Sequence, residues 1–160
     1  MMTALILAVT ISGCPVAGSP PGTVGLGDLS GAPGDTVTVP VNVHTNALVE
    51  AYMADLLFPE SVELIGADHG DLTQAWSFVG ASGLGISGQH GGRFGGFGVP
   101  GVPENVSGEL CRLHFAIIGD GDGDFTFLNK FDGIETYEDK CETSTSAPGG
   151  SWGRTKAWYR

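Results

Sequence analysis

Across residues 36–43 the chain alternates without a break: Val37, Val39, Val41 and Val43 fall on one side, and Thr36, Thr38, Pro40 and Asn42 on the other. A period of two built from β-branched residues suits a half-buried strand and is incompatible with the 3.6-residue period of a helix. The segment before it, Gly31-Ala32-Pro33-Gly34-Asp35, has turn chemistry: Pro fixes φ, and Gly tolerates the positive φ that other residues avoid. Pro40 has no N–H to give to a ladder, so its amide side is expected to face solvent or a bulge.

The same pattern recurs along the chain. Tyr52, Ala54, Leu56 and Phe58 alternate in residues 51–58, and Pro59-Glu60-Ser61 closes that run as a turn. Residues 62–67 form a short apolar strand, and residues 73–79, with Trp76 and Phe78, read as another. Residues 80–101 are rich in glycine, which disfavours a helix through backbone entropy. Two short strands are predicted there, near 83–87 and 92–98, joined by a loop at Gln89–Gly91. In residues 108–118, Cys111, Leu113, Phe115 and Ile117 share one face, with Arg112, His114 and Ala116 on the other. A Gly/Asp loop follows, and residues 125–128 open a further strand. Many short strands separated by turn signals predict an all-β sandwich or barrel.

The 160 residues suffice for one ordinary domain, and hydrophobic residues make up 41% of them, enough for a core. The formal net charge is -11, from 18 Asp and Glu against 7 Lys and Arg. That balance argues against a nucleic-acid surface, which needs clustered cations. It fits solubility outside a cell and binding of divalent cations.

Residues 4–11 are an apolar run too short to span a bilayer but suited to the core of a signal peptide. The run ends in Ile11-Ser12-Gly13-Cys14, which resembles the bacterial lipobox, in which the cysteine is lipidated after cleavage. The Pro/Gly/Ser stretch behind it suits a tether. No Lys or Arg precedes the run, and a first β-strand is the competing reading. With Cys14 assigned to lipid, Cys111 and Cys141 remain as an even pair, the number an exported protein uses for a disulfide. Cys111 also suits a buried small hydrophobe in its strand.

Three motifs occur in order: Gly31-Ala32-Pro33-Gly34-Asp35-Thr36-Val37-Thr38-Val39-Pro40-Val41, an apolar strand running from Ala51 into Pro59, and Ser107-Gly108-Glu109-Leu110-Cys111-Arg112-Leu113-His114-Phe115. Together they resemble a cohesin domain, the module that receives dockerins in cellulosomes. The resemblance covers roughly residues 24–139. It implies a jelly-roll β-sandwich of about nine strands, close to that of some carbohydrate-binding modules, and a binding module rather than an enzyme. With the N-terminal run and the composition of the tail, it divides the chain into an expected signal peptide, lipobox and tether (1–21), a cohesin-like sandwich (22–140), and a linker with an aromatic, basic tail (141–160). The function implied is dockerin-type protein attachment at the cell surface. Carbohydrate binding and a structural role in an extracellular assembly are the alternatives.

Candidate sites follow from residue chemistry. Asp120, Asp122 and Asp124 alternate with glycine, which suits oxygen ligation of Ca²⁺ in a loop and equally suits a polar turn. Phe125 and Phe131 stand where an EF-hand needs Gly and Glu; Asp132, Glu135, Glu138 and Asp139 are available as further ligands. His44, His69, His90 and His114 are scattered and lack zinc spacing. No serine-nucleophile elbow is present. Trp76, Phe94 and Phe97 are candidates for an exposed aromatic strip that stacks on a protein partner or on sugars, with Phe94 and Phe97 the better exposure candidates because glycines flank them; core packing is the competing reading. Trp152, Trp158 and Tyr159, with Arg154, Lys156 and Arg160, make the tail both aromatic and basic.

Overall fold

The valine-rich strand is the organising element of the first of two sheets. In the computed structural model, which describes residues 21–120 and 124–139, it runs as β2 (Thr36–His44) between β1 (Thr23–Leu26) and β7 (Ser107–Ile117). β4 (Val62–His69) and the two-residue β9 (Glu138–Asp139) complete this sheet, in the order β4-β7-β2-β1-β9. The second sheet has the order β5-β6-β3-β8, formed by β3 (Val49–Leu57), β5 (Phe78–Ile86), β6 (Gln89–Val102) and β8 (Thr126–Asp132). All pairings are antiparallel except β1 with β9. The described residues therefore form a nine-stranded, two-sheet jelly-roll sandwich of the class predicted from the sequence.

The core lies between the sheets and is filled by the faces that alternation assigns to it. Val39, Val41 and Val43 are buried, as are Tyr52, Ala54, Leu56 and Phe58, and Cys111, Leu113, Phe115 and Ile117. Full burial of such a side chain stabilises by about 1.5–3 kcal/mol. A bulge breaks the period in β7: the β2–β7 register shifts between Val41 and Asn42, so Leu110 is inserted opposite them and is buried beside Cys111. Pro40 sits in an interior strand, yet it disrupts no ladder. The Gly27 N–H donates to Pro40 O at 2.8 Å, so the side of Pro40 that lacks an N–H faces the point just past the end of β1.

Two expectations are corrected here. Residues 73–77 are not strand: Phe78 opens β5, and the stretch before it is a turn built around Thr73. Thr73 is fully buried; its Oγ1 donates to Leu110 O at 2.7 Å and accepts from the Gly70 N–H at 3.1 Å. A hydroxyl that satisfies the backbone in this way competes with strand formation. The glycine-rich section is also not two short strands around a loop at Gln89–Gly91. It is one long β5–β6 hairpin closed by Ser87 (φ 52°) and Gly88 (φ 79°), with Ile86 opposite Gln89. Two positive φ values in a two-residue loop give the primed turn whose twist matches that of antiparallel strands.

Candidate functional site

The outer face of the β5-β6-β3-β8 sheet is set by register. Four rows run across the strands, and the first brings together Phe78, Phe97 and Ala51. The second holds Gly80, Gly95, Met53 and Phe131; the third holds Ser82, Arg93, Asp55 and Asn129. The fourth contains Leu84, Gly91 and Leu57. Phe78 and Phe97 are 50% and 54% exposed and stack on each other, with ring centroids 5.6 Å apart and planes 26° apart. Beside this ridge Gly80 and Gly95 contribute no side chains of their own. A β-carbon at Gly95 would lie 2.7 Å from Tyr52 O, and the Phe78 ring leans over Gly80, 2.7 Å from where its β-carbon would be. The result is an open, mainly apolar trough of about 550 Å³, bordered by Phe78, Phe97, Met53, Leu84 and Arg93, with Asp132 at its β8 end.

A charged clamp holds the far wall of the trough in place. Arg93 Nε donates to Asp55 Oδ1 at 2.6 Å and its Nη2 donates to Oδ2 at 3.0 Å. Asn129 Nδ2 donates to Oδ2 from the opposite side, also at 3.0 Å. Asp55 is 2% exposed although it points to the outer face, because these two neighbours cover it. The Arg93 hydrogen bonds are the largest cause holding the Asp55 carboxyl below the usual carboxylate range. The guanidinium also lies 5.8 Å from the centroid of Phe131, within cation–π range. Arg93 is thereby drawn across β3 towards β8, away from the glycine floor.

The three aromatic candidates separate. Phe97 lies on the outer ridge; Phe94 and Trp76 are buried at 1% and 5% exposure and belong to the core. Phe94 pairs with Ala54 and so points inward, three residues and therefore the opposite parity from Phe97. Trp76 Nε1 donates to Pro100 O at 3.0 Å, and its ring packs on Tyr52 with centroids 5.7 Å apart. The expected strip of Trp76, Phe94 and Phe97 is thus replaced by a pair, Phe97 with Phe78, the first residue of β5.

The remaining candidates are placed as follows. Cys111 is a fully buried free thiol, and burial pushes its pKa up to about 12; Cys141 and Cys14 lie outside the described residues. Asp122 also lies outside them, whereas Asp120 and Asp124 lie on either side of the gap. Asp139 accepts from Lys130 Nζ at 2.7 Å, and Asp132 faces the trough. Among the described residues no three His, Cys, Asp or Glu side chains are grouped to hold a metal. The four histidines have four different partners: His44 meets Ser107, His69 meets Trp76 O, His90 meets Val62 O, and His114 bridges Thr38 and Asp68. Thr38, His114 and Asp68 line up in hydroxyl–imidazole–carboxylate order, but Asp68 is 73% exposed and water competes for each bond.

No protein-family model matches the chain, and no curated protein matches it. Solved structures do. A non-cellulosomal cohesin from the archaeon Archaeoglobus fulgidus superposes with a TM-score of 0.53 at 18% identity, covering 75% of this chain and 85% of that one. The sixth cohesin of Acetivibrio cellulolyticus scaffoldin B, solved in complex with a mutant dockerin, gives 0.51 at 15% identity, covering 76% and 95%. The seventh ScaB type I cohesin from Pseudobacteroides cellulosolvens gives 0.51 at 15%, covering 73% and 81%. Identities this low speak to architecture alone: the chain folds as a cohesin-like β-sandwich.

Proposed function

We propose that this chain is a non-catalytic binding module that takes a protein partner of the dockerin type on the outer face of its β5-β6-β3-β8 sheet. The observation that carries the reading is the apolar trough, with two half-exposed phenylalanines beside a glycine floor. Large rings left in water on a flat sheet are characteristic of interaction surfaces. The likeness to cohesins, one of them solved with a dockerin, supports the choice of a protein partner. Charge supports it as well: sixteen of the eighteen Asp and Glu lie in the described sandwich, against three of the seven Lys and Arg. Such a surface accelerates encounter with a basic partner and discriminates against acidic ones.

Export and attachment at the cell surface, with lipidation of Cys14, complete the proposal and rest on the lipobox-like Ile11-Ser12-Gly13-Cys14. Mass spectrometry of the native N-terminus tests this part: a diacylated Cys14 supports it, and an intact Met1 overturns it. Ca²⁺ at Asp120, Asp122 and Asp124 rests on residue alternation alone, and calorimetric titration with Ca²⁺ decides it.

The docking face is tested by titrating a panel of dockerin modules, and proteins captured from envelope extracts, against the parent and Phe97→Asp. The substituted position is half exposed, so the fold should tolerate it. Binding should weaken at least tenfold, about 1.4 kcal/mol. Asp68→Asn, on the opposite sheet, should bind as the parent does. Equal binding by Phe97→Asp, or no binder in either set, would overturn the proposal.

A further inference from the structure

The segment at residues 152–160, WGRTKAWYR, has no part in the docking reading. We propose that this segment occupies the trough of its own chain and shields it until a partner displaces it.

Charge complementarity is the first argument. Each of the three cations of the described sandwich is already paired: Arg93 with Asp55, Arg112 with Asp71 and Glu109, and Lys130 with Asp139. The remaining four Lys and Arg all lie beyond Asp139, three of them in residues 152–160, which hold no Asp or Glu. The most basic stretch of the chain is thus tethered to a strongly acidic domain. Exposed Asp132 lines the trough, and exposed Glu50 lies next to Ala51 on its border.

Apolar complementarity is the second. Trp152, Trp158 and Tyr159 each offer a large flat ring, and the open trough offers the half-exposed rings of Phe78 and Phe97 as its border. Indole and phenol rings bury about 150–250 Å² each and gain from stacking on such neighbours.

Reach is the third. The described chain ends at Asp139 in β9, at the edge of the opposite sheet, where its side chain accepts a hydrogen bond from Lys130 of β8, the edge strand of the trough's own sheet. From β8, β6 is two strands in and β5 three, about 10 and 15 Å at a spacing of about 4.8 Å. Residues 140–151 can span up to about 40 Å. A tether of that length sets an effective concentration on the order of 1 mM. Even an affinity of about 0.1 mM then leaves the segment about 90% docked, and a competing partner sees its affinity reduced about tenfold.

The test uses the full chain without any partner, so it fails or succeeds separately from the docking proposal, with which it shares only the trough. Amide shifts of the isotope-labelled parent are compared with those of Trp152→Ala/Trp158→Ala/Tyr159→Ala and of Arg154→Glu/Lys156→Glu/Arg160→Glu. Both variants should move Gly80, Gly95 and Phe97 and leave Thr38 and His114 of the opposite sheet in place. Phe97→Asp should release the segment, shifting the emission of Trp152 and Trp158 to the red. The shifts should be independent of protein concentration over a tenfold range. Shifts that grow with concentration would mean a second copy supplies the segment. That result overturns the proposal, as would shifts confined to the other sheet or no difference between parent and variants.

Discussion

Replacing Arg93 by alanine tests whether the clamp on the outer face is a stabilising ion pair or only a surface contact. The substitution removes two charge-assisted hydrogen bonds from a carboxylate that is 2% exposed and leaves it only Asn129. Breaking a fully buried pair from one side costs about 3–5 kcal/mol. The Arg93 side chain is 44% exposed, so its pair is screened, and its removal opens a path for water to Asp55. We therefore expect about 2 kcal/mol lost near pH 7, part of it from the contact with Phe131. The sign of the pH dependence follows from the depressed carboxyl. Its contribution in the parent is complete above the unfolded value near 4 and is lost as pH falls through the lower folded value. In the variant the buried carboxyl has no cation beside it, so that contribution is absent at every pH. The gap between parent and variant should accordingly shrink to below about 1 kcal/mol at about pH 2. Urea unfolding across this range measures it, and groups common to both proteins cancel in the difference. A gap that does not change with pH, or one under about 0.5 kcal/mol near neutrality, would refute the reasoning.

Other substitutions probe the core that supports the trough. Thr73→Val removes a buried hydroxyl that donates to Leu110 O and accepts from Gly70 N–H. It should cost about 1–3 kcal/mol in urea unfolding; a neutral result would mean that the turn holds without it. Gly98→Ala places a methyl 2.5 Å from Trp76 Cα and Cβ, backbone and ring root rather than a pliable chain end. A loss of about 1–3 kcal/mol is expected, with a changed near-ultraviolet signal from Trp76. Cys111, with its thiol pushed up to about 12 by burial, should resist iodoacetamide in the native protein at about pH 8 and react in denaturant without reductant. Labelling of the native protein would contradict its burial, and no labelling in denaturant would reveal a disulfide.

Much of the sandwich is legible in the sequence wherever period and length agree. Val39, Val41 and Val43 of β2, the Tyr52–Phe58 face and the Cys111–Ile117 face are buried as their alternation predicts. Legibility fails where a side chain serves the backbone, as Thr73 does, or where glycine erases the alternation, as in β5 and β6. The Ser87-Gly88 turn had a local signal, a Ser-Gly dipeptide, that points to it more directly than the glycine count does. Asp55, Arg93 and Asn129 had none, since they are 38 and 74 residues apart along the chain.

The division has a physical cause. Which residues share a face is a local property of an extended backbone, whose side chains alternate, so the sequence by itself determined the inward faces of β2, β3 and β7 and the all-β class. Which residues become neighbours across strands is settled by register, through hydrogen bonds and packing between distant segments. Tertiary structure alone turned Phe94 into the core and Phe97 out beside Phe78. It also aligned Gly80 with Gly95 to open the trough, and closed Arg93 and Asn129 over Asp55.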